Sequence, residues 1–235
     1  MIVETKRLVL KHFGIWDAEA MNRVFGDAEV MRFGDGVQTT EWVHGWLRRC
    51  LENYQQKSGI GPWAIVEKSS TETIGYCGLF HFPDVCGQPE MEIGYRLARA
   101  YWGRGIATEA VLAVRDYAFN ALDIPRLISM IDPENAASIR VAEKAGMQYE
   151  NDVMFEGYTH PDHVYAIARP VKRTATRMKP SWNVAAFIWV ATLPALFSLG
   201  CGTSDAPSDT GTLSSNDTDI VIGGIYVERV FLMRT

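Results

Sequence analysis

Apolar and polar positions follow two different periods along the first 170 residues, and each period predicts one kind of element. Alternation with a period of two, typical of strands, marks the segments 4–11, 63–67, 73–82 and 91–97. Apolar residues spaced three or four apart, typical of helices that cover a sheet, mark the segments 18–25, 41–54 and 105–122. Turn-forming residues separate the three consecutive strands between 63 and 97, so we expect an antiparallel meander there.

Between residues 126 and 167 the pattern predicts three more strands and one short helix. The segment 126–131 is predicted to be a strand, and Asn135 is a good N-cap for a short helix over 136–145 that ends at Gly146. Two more strands are predicted over 148–155 and 163–167. The predicted fold class is therefore α+β, with a mixed, mostly antiparallel central sheet flanked by helices.

The aromatic residues of the predicted helix 41–54 have two interpretations. Trp42, Trp46 and Tyr54 lie on one stripe of that helix. Core packing explains such a stripe without any ligand, whereas a wall of an acceptor pocket is the alternative.

Length and composition divide the chain into one domain and a tail. The 235 residues, 47% of them hydrophobic, suffice for one folded domain over 1–170. The tail is predicted to be a basic linker over 171–183, an apolar segment over 184–200 and a polar low-complexity stretch over 201–235. The apolar segment is either a short membrane anchor or a signal-like fusion. Both alternatives leave the domain in the cytoplasm, and the first attaches it to the inner face of the membrane.

The charge balance narrows the class of partner. Residues 1–170 contain 17 Lys and Arg against 23 Asp and Glu. Because nucleic-acid binding needs a basic surface, we expect no nucleic-acid partner, whereas a cationic amine suits an acidic domain. The cysteines have neither C-x-x-C nor Cys/His spacing, so we expect neither a metal site nor a disulfide framework.

A glycine-rich turn over 102–108 lies between a predicted strand and a predicted helix. Gly103 and Gly105 lack Cβ atoms, so the backbone there can approach a ligand closely. The following helix directs its unpaired N–H groups and the positive end of its dipole to the same place. Thr108 stands where a dinucleotide-binding turn needs Gly or Ala, and no Gly-Lys-[Ser/Thr] of a P-loop occurs. The turn therefore predicts a pyrophosphate site of another kind.

Several runs of residues lie in a fixed order around this turn. The central ones are Glu92-Ile93-Gly94-Tyr95-Arg96-Leu97, then Tyr101 to Ala110, then Asn135-x-x-Ser138 followed by Glu143-Lys144-x-Gly146-Met147. The outer ones are Glu4-Thr5-x-Arg7-Leu8 and Asp162-His163-x-Tyr165-Ala166. In this order the runs resemble the GNAT N-acetyltransferase superfamily, and within it the branch that contains the ribosomal-protein N-terminal acetyltransferases.

The resemblance implies acetyl-CoA as the acetyl donor, without a metal. In this superfamily the strands that end near Leu97 and begin near Arg126 splay apart, and acetyl-CoA lies in the gap. The cofactor-binding residues that the resemblance implies are Ile93, Gly94, Tyr95, Trp102, Gly103, Arg104, Gly105, Ile106, Ala107, Thr108, Asn135 and Ser138.

Acetyl transfer from a thioester to an amine needs a base for the amine, stabilisation of an oxyanion and a proton for the thiolate. The resemblance implies Glu92 as the base and Ser138 as the acid. The alternatives are a solvated strand-edge carboxylate for Glu92, with Glu90 on the same face as a substitute, and a capping or phosphate-contacting role for Ser138. Tyr149 is a second candidate acid.

The resulting prediction is an acetyl-CoA-dependent N-acetyltransferase in which a primary amine attacks the thioester directly. The resembled branch favours a protein N-terminal α-amine as the acceptor. The alternatives are a small-molecule amine, namely a polyamine, an amino sugar or an antibiotic, and a noncatalytic acyl-CoA-binding module. A homodimer is one expected oligomeric state, since dimers are common in families of this kind.

Overall fold

The computed structural model describes residues 1–56, 59–155 and 158–170. In these residues one sheet is formed by the strands β1 (Val3–Glu4), β2 (Leu8–Lys11), β3 (Pro62–Glu67), β4 (Thr73–Val85), β5 (Gln88–Leu97), β6 (Arg126–Ile131), β7 (Gln148–Val153) and β8 (Asp162–Ala168). The α-helices in the same residues are α1 (Ala18–Phe25), α2 (Thr40–Gln56), α3 (Ile106–Asn120) and α4 (Ala136–Lys144).

The strand order of the sheet is β1-β2-β3-β4-β5-β6-β8-β7. Neighbouring strands are antiparallel except β5 and β6, which α3 connects and which run parallel. The register of β5 against β6 is the single pair Glu92 and Ile128, whereas β4 and β5 pair along most of their length. The two central strands therefore diverge beyond Glu92 and open a gap in the middle of the sheet.

Helices cover both faces of the sheet, because strand side chains point alternately to either side. On one face Val114 of α3 packs with Leu10 and Ile65 of the sheet. On the other face Phe25 of α1 and Trp46 of α2 pack with sheet residues. Trp46 is fully buried, and its ring contacts the ring of Phe25 edge to face. The aromatic stripe of α2 thus packs in the core.

The predicted fold class, with its mixed sheet, meander and diverging central strands, is confirmed. One element differs: the segment 4–11, predicted as one strand, forms β1 and β2 with a break between them. Thr5 and Arg7, which lie in the break, bond the carboxylate of Glu109. The two strands pair antiparallel, and the turn between them is closed by the bond from the Thr5 N–H to the Leu8 carbonyl.

No helix in the part of the chain that the structure describes is long and apolar enough to cross a membrane. This finding contradicts the predicted localisation, a cytoplasmic domain with attachment to the inner face of the membrane as an alternative. The predicted linker over 171–183, the apolar segment over 184–200 and the polar stretch over 201–235 lie outside the described residues.

Candidate active site

A left-handed glycine turn leads into α3 at the open end of the gap. Gly103 has φ 69° and Gly105 has φ 73°, backbone angles that residues with a Cβ rarely adopt. Gly105 is the N-cap of α3 and supplies no side-chain bond to the first turn. The N–H groups of that turn and the positive helix end therefore face the space in front of it.

A cavity of about 470 Å³ occupies this space. Its walls come from the end of β5, the glycine turn, the first turns of α3 and α4, and the segment 29–33. Among the residues that the structure describes, the basic ones that line it are Arg32, Arg96, Arg140 and Lys144, against one carboxylate, that of Glu29. Coenzyme A carries a pyrophosphate, a further phosphate and a long uncharged arm. A basic cavity with a bare helix N-terminus fits the phosphates, and its apolar walls fit the arm.

The glycine turn is held from behind by ionic contacts with the sheet edge. Arg7 donates from Nε to Glu109 Oε2 at 2.6 Å and from Nη1 to the carbonyl of Arg104 at 2.8 Å. Arg104 itself donates from Nη2 to Glu67 Oε1 at 3.0 Å. Arg104 thus contributes its backbone to the turn, while its side chain points to the sheet and does not line the cavity.

We expect Glu109→Ala to weaken acetyl-CoA binding, although Glu109 itself does not line the cavity. Burial of Glu109 raises the pKa of its carboxyl, but hydrogen bonds from Thr5 and Arg7 outweigh this and leave the pKa below its usual value. The ionised carboxylate is thus the form that holds the turn. The variant should bind CoA about tenfold more weakly, and its melting temperature should be a few degrees lower than that of the wild type. Calorimetric titration with CoA and thermal unfolding measure both, and unchanged affinity would contradict the role.

Two side chains replace the missing strand ladder where β5 and β6 diverge. Glu92 Oε1 accepts a hydrogen bond from the backbone N–H of Met130 at 3.0 Å. Ser129 Oγ donates to the carbonyl of Ile93 at 2.8 Å. These bonds satisfy backbone groups that the gap leaves without strand partners. The side chains of Glu92 and Ser129 therefore fix the width of the gap at its closed end.

Glu92 is 1% exposed, and its surroundings shift its acidity strongly. Burial, the largest cause, and the nearby charge of Asp162 together raise the pKa of its carboxyl to about 8. The hydrogen bond from Met130 and the charge of Arg96 act in the opposite direction. A carboxyl with this pKa can both accept and release a proton near neutral pH.

Glu90, the substitute base, has a different environment from Glu92. Its carboxylate accepts hydrogen bonds from Arg126 Nε, at 2.9 Å for Oε1 and 3.2 Å for Oε2. Arg126 also forms an ion pair with Glu150. The three side chains therefore form an ion-pair network between β5, β6 and β7. Glu90 therefore has a structural role in this network, and it does not line the cavity.

Three polar residues meet across the gap near the start of α4. Asn135 is the N-cap of α4, and its Oδ1 accepts the Ser138 backbone N–H at 3.1 Å. Tyr95 Oη on β5 donates to Ser138 Oγ at 3.1 Å. All three side chains line the cavity. Tyr149, the second candidate acid, instead donates from Oη to Asp152 on the exposed side of β7.

The structure brings most of the predicted site residues together. Those that line the cavity are Tyr95, Trp102, Gly103, Gly105, Ile106, Ala107, Thr108, Asn135 and Ser138. Those that do not line it are Glu92, Ile93, Gly94 and Arg104. Glu92 and Ile93 form the closed end of the gap described above, and Gly94 is buried between them and Tyr95 along β5.

Sequence reasoning missed the basic lining and the segment 29–33. Arg96 is 5% exposed and donates from Nη1 to the carbonyl of Val30 at 3.2 Å, so it ties that segment to β5. A signal existed for Arg96, since an arginine within a strand of buried residues requires a partner or a ligand. Nothing comparable marked Arg32, which reaches the cavity from a segment distant in sequence.

Histidine and carboxylate side chains also meet beyond the ends of β6 and β8. His160 Nε2 lies 3.3 Å from Asp132 Oδ2, and Asp162 is close to both. This pairing links the segment before β8 to the one after β6. His163 pairs with Asp152 on the other side of the same hairpin at 2.7 Å.

A mixed sheet with diverging central strands, a bare helix N-terminus in front of the gap and a basic cavity define the class of acyl-CoA-dependent N-acyltransferases. A family model described as "Acetyltransferase (GNAT) domain" matches residues 7–148, and the chain belongs to this family. It is an acetyl-CoA-dependent N-acetyltransferase that acts on an amine acceptor.

Known relatives agree with this assignment. The chain is 31% identical over 175 residues to "Uncharacterized N-acetyltransferase YoaA" of Bacillus subtilis, covering 72% of this chain and 97% of that protein. It is 33% identical over 159 residues to the spermidine N(1)-acetyltransferase of Escherichia coli K12, covering 64% and 78%.

Solved structures show the same fold. A GNAT-family acetyltransferase from Bacillus anthracis superposes with a TM-score of 0.62 at 26% identity, covering 72% of this chain and 99% of that one. The ribosomal-protein-S5-alanine acetyltransferase from Vibrio fischeri superposes with a TM-score of 0.59 at 18% identity, covering 71% and 95%. At this identity the second likeness is one of fold alone, and the resembled branch is among the structures that share it.

Proposed function

We propose that the protein transfers the acetyl group of acetyl-CoA directly to a primary amine, with Glu92 as the base and Ser138 as the acid. The observation that supports this most is the position of the two groups at the gap between β5 and β6. Glu92 closes one end of the gap, and Ser138 lines the cavity beside it. Backbone N–H groups along the diverging part of β5, near Ile93 to Tyr95, are suited to the oxyanion.

Acetyl-CoA supplies the activated acetyl group when bound, and the remaining work falls to the residues of the chain. The glycine turn and the basic lining bind phosphates, and Asn135 offers its amide to the uncharged arm. Glu92 removes a proton from the amine, directly or through water. Ser138 directs its hydroxyl proton to the departing sulfur.

Within this function we propose a protein N-terminal α-amine as the acceptor. An α-ammonium group has a pKa of about 8, whereas alkyl ammonium groups such as that of lysine have a pKa of about 10.4. Proton transfer from the former to Glu92, whose pKa burial raises to about 8, is nearly balanced. Transfer from the latter is opposed by about two pKa units.

A polyamine is the second candidate acceptor. It is supported by the 33% identity to a protein named spermidine N(1)-acetyltransferase and by the acidic groups on the sheet face of Glu92. Asp132, directly after β6, and Asp162, the first residue of β8, are both buried, and carboxylates of this kind suit a second ammonium group.

Thiol release from acetyl-CoA distinguishes these acceptors. The protein is assayed with peptides that begin with Ser, Ala or Met, with the same peptides after N-terminal blocking, and with spermidine and aminoglycosides. Turnover on free peptides that blocking abolishes supports the first proposal. Turnover on spermidine alone would replace it with the second, and absence of turnover on every amine would contradict the roles given to Glu92 and Ser138.

We expect Ser138→Ala to lower kcat by about 100-fold, which is the range for loss of a general acid. The fold should persist, because Asn135 caps α4 through the Ser138 backbone N–H and not through its hydroxyl. Steady-state kinetics together with the affinity for CoA test this expectation. A variant with normal kcat and weakened CoA binding would instead indicate the phosphate-contacting alternative.

A further inference from the structure

The hydrogen bond between Tyr95 and Ser138 is a feature that the proposed function does not use. Tyr95 is on β5 and Ser138 is in the first turn of α4, 43 residues apart, so the bond spans the gap. Tyr95 Oη is the donor and Ser138 Oγ the acceptor. Because Ser138 Oγ accepts in this bond, its own proton is left to be directed elsewhere.

We propose that Tyr95 is a positioning residue for the leaving thiolate, acting through Ser138. Its donated hydrogen bond holds the Ser138 hydroxyl so that the serine proton is directed into the cavity, to the sulfur of coenzyme A. This inference rests on the proposed role of Ser138 and adds a residue to it. In a chain of two hydroxyl groups each hydrogen bond polarises the next, so the serine becomes a stronger donor than it would be alone.

The surroundings of Tyr95 suit a donor that keeps its proton. Burial raises the pKa of its phenol to about 12. The ring is partly buried and packs against the core cluster that contains residues of α3 and α4. A phenol in this state remains a donor throughout the neutral and mildly alkaline range.

The chemistry balances around this pair. The nitrogen of the amine bonds to the acetyl carbon, the carbon–sulfur bond breaks, and its electron pair goes to sulfur. Glu92 takes one proton from the ammonium group before the attack and releases it to solvent afterwards. The sulfur takes the hydroxyl proton of Ser138, and the second proton that the nitrogen loses on forming the amide restores the Ser138 hydroxyl through water. Tyr95 neither gains nor loses a proton over the cycle.

The pKa of the CoA thiol on the protein tests the proposal without turnover. CoA is bound to the wild-type protein and to Tyr95→Phe, and the thiolate is followed by its ultraviolet absorbance as pH is raised. Hydrogen bonds from the pair stabilise the thiolate, so the phenylalanine variant should raise the thiol pKa by about one unit. Equal thiol pKa values in the two proteins would overturn the proposal. Tyr117→Phe is the matched control, since Tyr117 packs edge to face on Trp63 outside the cavity.

Kinetics supply a second and independent readout. With acetyl-CoA, Tyr95→Phe should lower kcat about tenfold and leave KM unchanged. With the acetyl thioester of 4-nitrothiophenol, whose thiolate leaves without assistance, the same variant should match the wild type. An equal deficit with both donors would indicate a merely structural role and overturn the proposal. Ser138→Ala in the Tyr95→Phe background should lose no more than Ser138→Ala alone, since the two residues act as a unit.

These outcomes are separate from those of the proposed function. A wild-type protein that acetylates no amine contradicts the proposed function. The thiol measurement needs only CoA and the protein, so it decides the role of Tyr95 whichever amine is the acceptor.

Discussion

Glu92→Gln is expected to lower kcat by about 100-fold or more while leaving the affinity for CoA unchanged. The amide has the shape of the carboxyl, and its oxygen can still accept the hydrogen bond from the Met130 N–H, so the width of the gap is kept. What the variant loses is the ability to take a proton from the amine. Thiol-release kinetics and calorimetric titration with CoA measure the two quantities.

Glu90→Gln is the matched control for this variant. Glu90 is on the same strand and the same face, but its carboxylate is paired with Arg126 and does not line the cavity. Its replacement should affect stability and leave kcat near the wild-type value. Normal turnover of Glu92→Gln, or equal losses in both variants, would show that Glu92 is not the base.

The same carboxyl gives a pH dependence of known sign. Only the ionised form can accept a proton, and burial raises its pKa to about 8, so kcat/KM should rise with pH up to about 8 and then level off. The free energy of unfolding should move the other way. Because the pKa in the folded protein exceeds the usual value of 4.5, the stability that the protonated form contributes is complete below 4.5 and is lost as pH rises to about 8. In Glu92→Gln both dependences should weaken.

Gly105→Val is expected to weaken acetyl-CoA binding by at least tenfold and to destabilise the turn. Gly105 has φ 73°, and a residue with a Cβ pays about 1–2 kcal/mol in this left-handed region, more when it is β-branched. The protein leaves room for the new side chain, since the nearest atom to a Cβ there is Arg7 Nη2 at 3.7 Å. The loss should therefore come from the backbone, which must leave the conformation that presents its N–H groups to phosphate.

Gly87→Val separates strain from binding. Gly87 also has a positive φ of 89°, has open space around it and lies in the turn between β4 and β5, away from the cavity. Gly87→Val should lower the melting temperature about as much as Gly105→Val does, and its affinity for CoA should be unchanged. If both valine variants bind CoA like the wild type, the glycine turn is not the phosphate site.

Part of the site could be predicted because its chemistry depends on local sequence. The glycine turn before α3 and the N-cap at Asn135 each need particular residues at fixed short spacings, so a few neighbouring letters are enough to predict them. The resemblance added Glu92 and Ser138 as expected partners. Their roles stay predictions until the variants above are measured.

Other parts depend on which strands become neighbours. The hydrogen bond from Tyr95 to Ser138 joins residues 43 positions apart, and the contact of Arg96 with Val30 joins residues 66 positions apart. No period or motif predicts such contacts. The first arises because β5 and β6 diverge after one register pair and leave a gap that side chains must bridge, and the second ties the segment 29–33 to β5.

The sequence by itself determined the order and type of the elements, the glycine turn before α3 and the family, because these follow from local periodicity, from glycine at left-handed positions and from runs of residues in a fixed order. Only the tertiary structure decided the burial of Glu92, the side-chain contacts of Arg104 and the basic lining of the cavity. These depend on desolvation and charge, which are set by residues brought together from distant segments of the chain.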